Sequence, residues 1–267
     1  MDVVMNAGLE AVLLFGAAIA AGMINAIAGG GGLLVFPALL LSGVSPISAN
    51  ATGAAGIWVG MVISGVAYRA ELKSVANRLG PVTLSSLSGG ALGAWLLLNF
   101  SDEGFSFIVP YLVALGTLLF AISEPLKRKM TSANVMRPPI AEQGDKPKLN
   151  QPMLVYPQGL ISTYGGFFGG GAGILMLSLL TLTNPGKLQT LQAVKVWMAI
   201  CINAAALGYF VFVDVINWPY AALVAAGTSS GGYSSAYFAN KVSAVWLRHF
   251  VIVTGVVLSI YFFLSTY

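Results

Sequence analysis

Lys195 has the most chemistry to offer, because it lies inside the apolar run LQTLQAVKVWMAICINAAALGYFVF. A lysine at the centre of a membrane-spanning helix costs about 2.5–3.5 kcal/mol on insertion scales unless it is paired or wet. No acidic residue falls in the interior of an apolar segment, so an anionic substrate is the natural counter-charge; the competing reading is a lysine that snorkels toward a water-filled vestibule. Lys187, at the start of the same run, reads as an interfacial anchor. Two glycine clusters add a second kind of anion chemistry: Gly29, Gly30, Gly31 and Gly32 in one case, Gly169, Gly170, Gly171 and Gly173 in the other. Glycine weakens a helix by about 1 kcal/mol per residue relative to alanine, so such runs break it. The freed amides need partners that lipid cannot supply, which places each break in a buried, wet setting. The short helix that follows then aims about half a positive charge and several N–H donors at whatever fills that space.

Neutral polar residues cluster in sequence around the same elements. Asn25 precedes the first glycine run, and Ser162 and Thr163 precede the second. Ser48, Asn50 and Thr52 open the next segment, while Gln189, Gln192 and Asn203 share a segment with Lys195. The candidate substrate-binding set is therefore Asn25, Gly29, Gly30, Gly31, Gly32, Asn50, Thr52, Gly169, Gly170, Gly171, Gln192 and Lys195. Interhelical hydrogen bonding is the alternative use of the polar members. For Gly89, Gly93, Gly227 and Gly231, close helix crossing is the preferred reading over a break.

Other chemistries lack their residues. The single histidine, His249, stands beside Arg248 at an expected interface and cannot build a multi-histidine metal site. No HExxH, GxSxG or paired-carboxylate arrangement is present, and GGGG lacks the Lys-Ser/Thr of a phosphate-binding loop. The expectation is a protein that is not an enzyme, with no cofactor or metal and no nucleic-acid surface. Cys201 is the only cysteine and cannot form an intrachain disulfide.

The elements that must position these residues follow from composition and period. Of 267 residues 57% are hydrophobic and 8% charged, against about 25% charged in a soluble domain. The apolar residues fall in ten segments, near 7–28, 32–43, 47–68, 81–99, 105–123, 153–168, 173–183, 188–213, 218–240 and 244–265. Eight approach the roughly twenty residues that cross a hydrocarbon core of about 30 Å. The second and seventh are too short, and each follows a glycine cluster. Laying Gly29–Phe36 on Gly170–Leu177 pairs the two clusters, and a shift of one further residue near the fourth segment matches Gly89 and Gly90 to Gly231 and Gly232. This suggests an internal duplication.

Charge sets the expected topology. Of the 13 Lys and Arg, Arg69, Lys73 and Arg78 lie in one connection, six more lie in 124–152, and Lys241 and Arg248 flank the last connection. These places read as cytoplasmic, while the termini and the turns at Asp102 and Asp214 read as outside. The fold expected is all-α: a polytopic transmembrane helical bundle of about ten segments in two inverted five-segment repeats with glycine-broken short helices. Its parts are an N-terminal repeat (1–123), a cytoplasmic basic linker (124–152) and a C-terminal repeat (153–267), with both termini periplasmic. A basic n-region is missing, so a cleaved signal peptide is not expected.

The stretch GMINAIAGGGGLLVFPALLLSGVSPISANATGAAG (Gly22 to Gly56) resembles the first half of TauE/SafE-type permeases, through Gly29–Gly32, Pro37, Gly43, Ala49 and Thr52. GLISTYGGFFGGGAGILMLSLL (Gly159 to Leu180) is similar to that family's second glycine element. The resemblance implies transport of sulfite, an organosulfonate or a related oxyanion across the inner membrane. The halves differ in detail: Ser178 stands where the first has Pro37, and Gln192, Ala193 and Lys195 where it has Ala51, Thr52 and Ala54. An anion channel on the same scaffold, or a membrane assembly protein that transports nothing, are the competing functions. Membrane lipid and a second copy of the chain are the expected partners besides a small anion.

Overall fold

The computed structural model describes residues 7–27, 29–132, 147–184, 187–238 and 244–266. Every regular element among them is helical: α1 (Ala7–Ile27), α2 (Gly32–Leu41), α3 (Pro46–Ala67), α4 (Arg69–Val75), α5 (Gly80–Leu98), α6 (Asp102–Ser132), α7 (Pro152–Phe167), α8 (Ala172–Thr183), α9 (Leu188–Phe212), α10 (Trp218–Phe238) and α11 (Ala244–Thr266). A 3-10 turn, Ala76–Arg78, joins α4 to α5. The ten expected segments are all present, and α4 is an addition within the first basic connection. α6 continues to Ser132, beyond the start of the polar stretch at 124. Residues 133–146 of that stretch lie outside the described residues.

Five helical stretches are long and apolar enough to cross a membrane: Gly8–Ala26, Pro46–Ala67, Gly80–Leu98, Asp102–Ile122 and Leu188–Phe212. Large apolar side chains also face outward, among them Leu160, Phe212 and Leu264. That inverts the surface of a soluble bundle and suits a hydrocarbon solvent. The chain is a multi-pass helical membrane protein.

The helix starts and breaks have local causes. α3 opens on Pro46, where a missing N–H costs nothing, and Asp102 at the head of α6 accepts from the exposed-end amide of Ile47 at 3.0 Å. Gly29 and Gly30 take φ of +76° and +134°, and Gly169 and Gly171 take +77° and +80°. Side chains with a Cβ rarely adopt these angles, so the glycines end α1 and α7 where they do. After each break the chain doubles back. Gly31 lies against the Ala21 carbonyl, and a methyl on Gly165 would sit 3.7 Å from the Ala172 Cβ.

The two breaks share one hydrogen-bond pattern. The Gly29 amide donates to the Ile24 carbonyl and Gly169 to Tyr164, both at 3.1 Å. The Leu34 and Val35 amides donate to Gly31, and Ile174 and Leu175 to Gly171. Gly29 therefore corresponds to Gly169, one residue away from the pairing with Gly170 that the sequence suggested. The glycines alone cannot fix this register, because any shift still lays glycine on glycine. For α3 and α9 the common register aligns Pro46 with Leu188, both following an extended N-cap residue. Asn50 then matches Gln192 and Gly53 matches Lys195, which replaces the correspondence read from sequence.

Packing between the halves respects this correspondence. The most extensive helix pairs are α5 with α7 and α1 with α10, and each becomes the other when α1 is exchanged for α7 and α5 for α10. The pairs α3–α10 and α5–α9 exchange in the same way. Across α3 and α9, corresponding residues touch: the Trp58 indole donates to the Ile200 carbonyl at 3.1 Å. Small residues permit the close crossings, with Gly93 against the Thr163 carbonyl and Gly231 against that of Ile19. This agrees with the packing role expected for them.

Candidate substrate cavity

The glycine breaks meet in the middle of the bundle. A methyl on Gly29 would lie 2.9 Å from the Gly173 Cα, and one on Gly30 would lie 4.0 Å from the Gly171 nitrogen. Both tips rest on α6, where Gly116 faces Leu33 and the Gly170 carbonyl. Beside this junction is a cavity of about 460 Å³. It runs from the breaks between α3, α9 and α10 toward Ser64 and Tyr68 at the C-terminal end of α3, next to the basic connector. Burial, and then Glu71, pushes the Tyr68 phenol up, so it stays a neutral donor at the cavity mouth.

Lys195 is 3% exposed and is the only charged side chain on the cavity wall among the described residues. Asn25, Gly29, Gly30, Gly31, Gly32, Asn50 and Gly169 line the same space. Both asparagines also serve the breaks: Asn25 Oδ1 accepts from the Gly30 amide at 3.3 Å, and Asn50 Nδ2 donates to the Phe167 carbonyl at 3.0 Å. The second bond satisfies one of the carbonyls that the end of α7 leaves over. Four candidates stand outside the wall: Thr52, Gly170, Gly171 and Gln192. Thr52 is fully buried and its Oγ1 accepts from the Asn217 amide at 2.9 Å, which ties α3 to the loop before α10. The Gly170 carbonyl accepts from the Tyr164 hydroxyl at 2.5 Å.

At the end of the cavity near the breaks, Phe36 and Phe168 line the wall and other phenylalanines pack behind them. Phe168 packs edge-on against Phe36 at 5.3 Å, Phe36 against Phe105 at 6.3 Å and Phe105 against Phe167 at 5.8 Å. Phe100 adds to Phe167 at 5.7 Å. Edge-to-face pairs of this kind contribute about 0.5–1.5 kcal/mol each beyond the area they bury. Sequence reasoning did not single these residues out, since phenylalanine in an apolar helix gives no signal. It also passed over Gly53, Ile57, Gly60 and Ser64, which line the cavity. Those follow from Asn50 at steps of three and four along α3, a stripe that helical period could have traced.

Broken-helix hairpins around an internal cavity with one buried lysine on its wall are an arrangement found in membrane transporters. The particular family is shown by comparison: the sulfite exporter TauE/SafE family model matches residues 14–262. The chain belongs to the TauE/SafE family. A probable membrane transporter protein, ORF9, of Sinorhizobium sp is 26% identical over 248 residues, 92% of this chain and 90% of the relative. A probable membrane transporter protein of Haemophilus influenzae is 27% identical over 255 residues, 93% of each chain. The probable membrane transporter protein YfcA of Escherichia coli K12 is 24% identical over 250 residues, 92% of this chain and 87% of the relative. No solved structure matches the chain.

Proposed function

We propose that the protein is a secondary transporter that carries a small sulfur-containing anion, such as sulfite or a sulfonate, across the inner membrane by alternating access. The observation that carries this reading is the placement of Lys195, 3% exposed, on a cavity wall where two glycine-broken helices meet. Oxyanions suit backbone amides at helix N-termini backed by one ammonium, since many weak donors bind without trapping. The exchangeable packing of the two halves supports an inverted repeat with its site at the repeat interface. With the basic connections inside, both termini lie in the periplasm and the cavity opens to the cytoplasm. The phenylalanine stack favours a carrier over a channel, because a channel needs a path open at both ends.

The test is a thermal-shift screen of purified protein against sulfite, sulfonates, thiosulfate and sulfate, followed by counterflow in proteoliposomes. Stabilisation by one or more of these anions with saturable counterflow is expected. Single-channel currents would convert the reading to a channel, and no response to any anion would remove it.

A further inference from the structure

The two halves differ at one contact that their common register makes equivalent. Asn50 and Gln192 are each the fifth residue of their helix, α3 and α9. Phe167 and Ile27 are the last residues of α7 and α1, each just before a glycine break. Asn50 reaches across from the first half and donates to the Phe167 carbonyl at 3.0 Å. The corresponding bond in the other half would run from Gln192 to the Ile27 carbonyl. It is not made: the Gln192 Oε1 is buried without a hydrogen-bond partner, and no bond from its Nε2 is found among the described residues.

A buried amide oxygen without a donor carries a desolvation cost that the structure normally avoids. The same structure is one-sided in its access. The half whose latch is made is sealed, because Phe167 and Phe168 of the tied break pack against Phe105 and Phe36. The half whose latch is open borders the cavity mouth, with Ser64 and Tyr68 on its wall. We infer that Asn50 and Gln192 are alternately engaged positioning residues: Asn50 holds the second break while the Asp102 side is shut, and Gln192 takes the Ile27 carbonyl when the opposite side shuts. Closing one side and opening the other then exchanges one hydrogen bond for its counterpart. The two states stay close in free energy, as a carrier requires. This rests on the alternating-access reading above and assigns it two residues. In the present state Gln192 makes no bond to that carbonyl, and the other state would supply it.

The test reads conformation directly. In a Cys201→Ala background, single reporter cysteines replace Ser64 on α3 or its counterpart Ala206 on α9, the latter 2% exposed. Initial rates of reaction with a charged methanethiosulfonate are measured on detergent-purified full-length protein. Asn50→Leu should speed labelling at position 206 and slow it at 64, and Gln192→Leu should do the reverse. Each shift should be about five-fold, the ratio that one net hydrogen bond supports. Asn50→Gln and Gln192→Asn, which keep the amide, should stay near the parent. Shifts of both leucine variants in one direction, or no shift in either, overturn the inference; serine variants replace them if either fails to fold. Labelling needs no transported solute. Opposite shifts without any anion response would sink the transport reading alone, and parallel shifts with intact counterflow would sink the latch exchange alone.

Discussion

The first and second hairpin breaks close with the same hydrogen bonds, while Gly31 is right-handed at φ −55° and Gly171 left-handed at φ +80°, and their side chains differ. Both end a helix on a glycine with φ near +76°, and both donate back to the helix by the same pattern of amides. Around that shared frame Gly53 faces Lys195 in register, Phe36 corresponds to Met176, and Asn50 makes a bond that Gln192 lacks. The closing bonds are thus shared by the two breaks, while the buried lysine stands on one side of the register and the ring stack gathers at one break. Under the proposed alternating access, the shared frame would supply the two conformations and the differing side chains would set what is bound and which side is closed.

Breaking the asymmetry at the cation should have the largest effect. Lys195→Met keeps the volume and removes the charge, so the fold should survive. The anion-dependent thermal shift should vanish, with affinity lower by on the order of a hundred-fold, as for a lost buried charge partner worth about 2–5 kcal/mol. Unchanged affinity would assign the cavity to another solute. Next comes the ring stack that both halves build at one end of the cavity. Phe168→Ala removes the ring next to Phe36, with a stability loss of about 3–5 kcal/mol at a buried phenylalanine. Proteoliposomes carrying it should leak small anions without saturation, and tight vesicles would move the gate elsewhere.

The frame itself can be probed by comparing two glycines of one run. A methyl on Gly29 meets the Gly173 Cα at 2.9 Å and the residue has φ +76°, whereas one on Gly32 meets nothing within 4 Å. Gly29→Ala should cost about 1–3 kcal/mol or more. Gly32→Ala should be neutral or stabilising by up to about 1 kcal/mol. Equal melting temperatures for the two variants would contradict the tip-to-tip contact. The smallest effect is expected at Thr52, whose hydroxyl accepts from the Asn217 amide. Thr52→Val should lower stability by about 1 kcal/mol and leave anion affinity unchanged. A selective loss of affinity there would return Thr52 to the binding set.

Spans and breaks were legible in the sequence because membranes impose length and glycine interrupts helices. The short helix expected near 32–43 is Gly32–Leu41, and that near 173–183 is Ala172–Thr183. Register was not legible, since a run of glycines aligns equally well one residue out; only the amide pattern at Gly31 and Gly171 fixes it. Lys195 was readable because charge in an apolar run is costly wherever it points. Thr52 and Asn50 share a helix and a polar character, yet one braces a loop and the other lines the cavity. That difference depends on partners at Asn217 and Phe167, more than a hundred residues away. The phenylalanine stack joins three separate stretches of chain, and no local pattern announces it.

The interlocked packing of the halves governs how the protein can be made. α1 finds its main neighbour in α10 and α5 in α7, so neither repeat can complete its own interior. A ribosome delivers α1 long before α10, so the helices of the first half enter the bilayer before their main neighbours exist, and the second half must dock onto them to complete the packing.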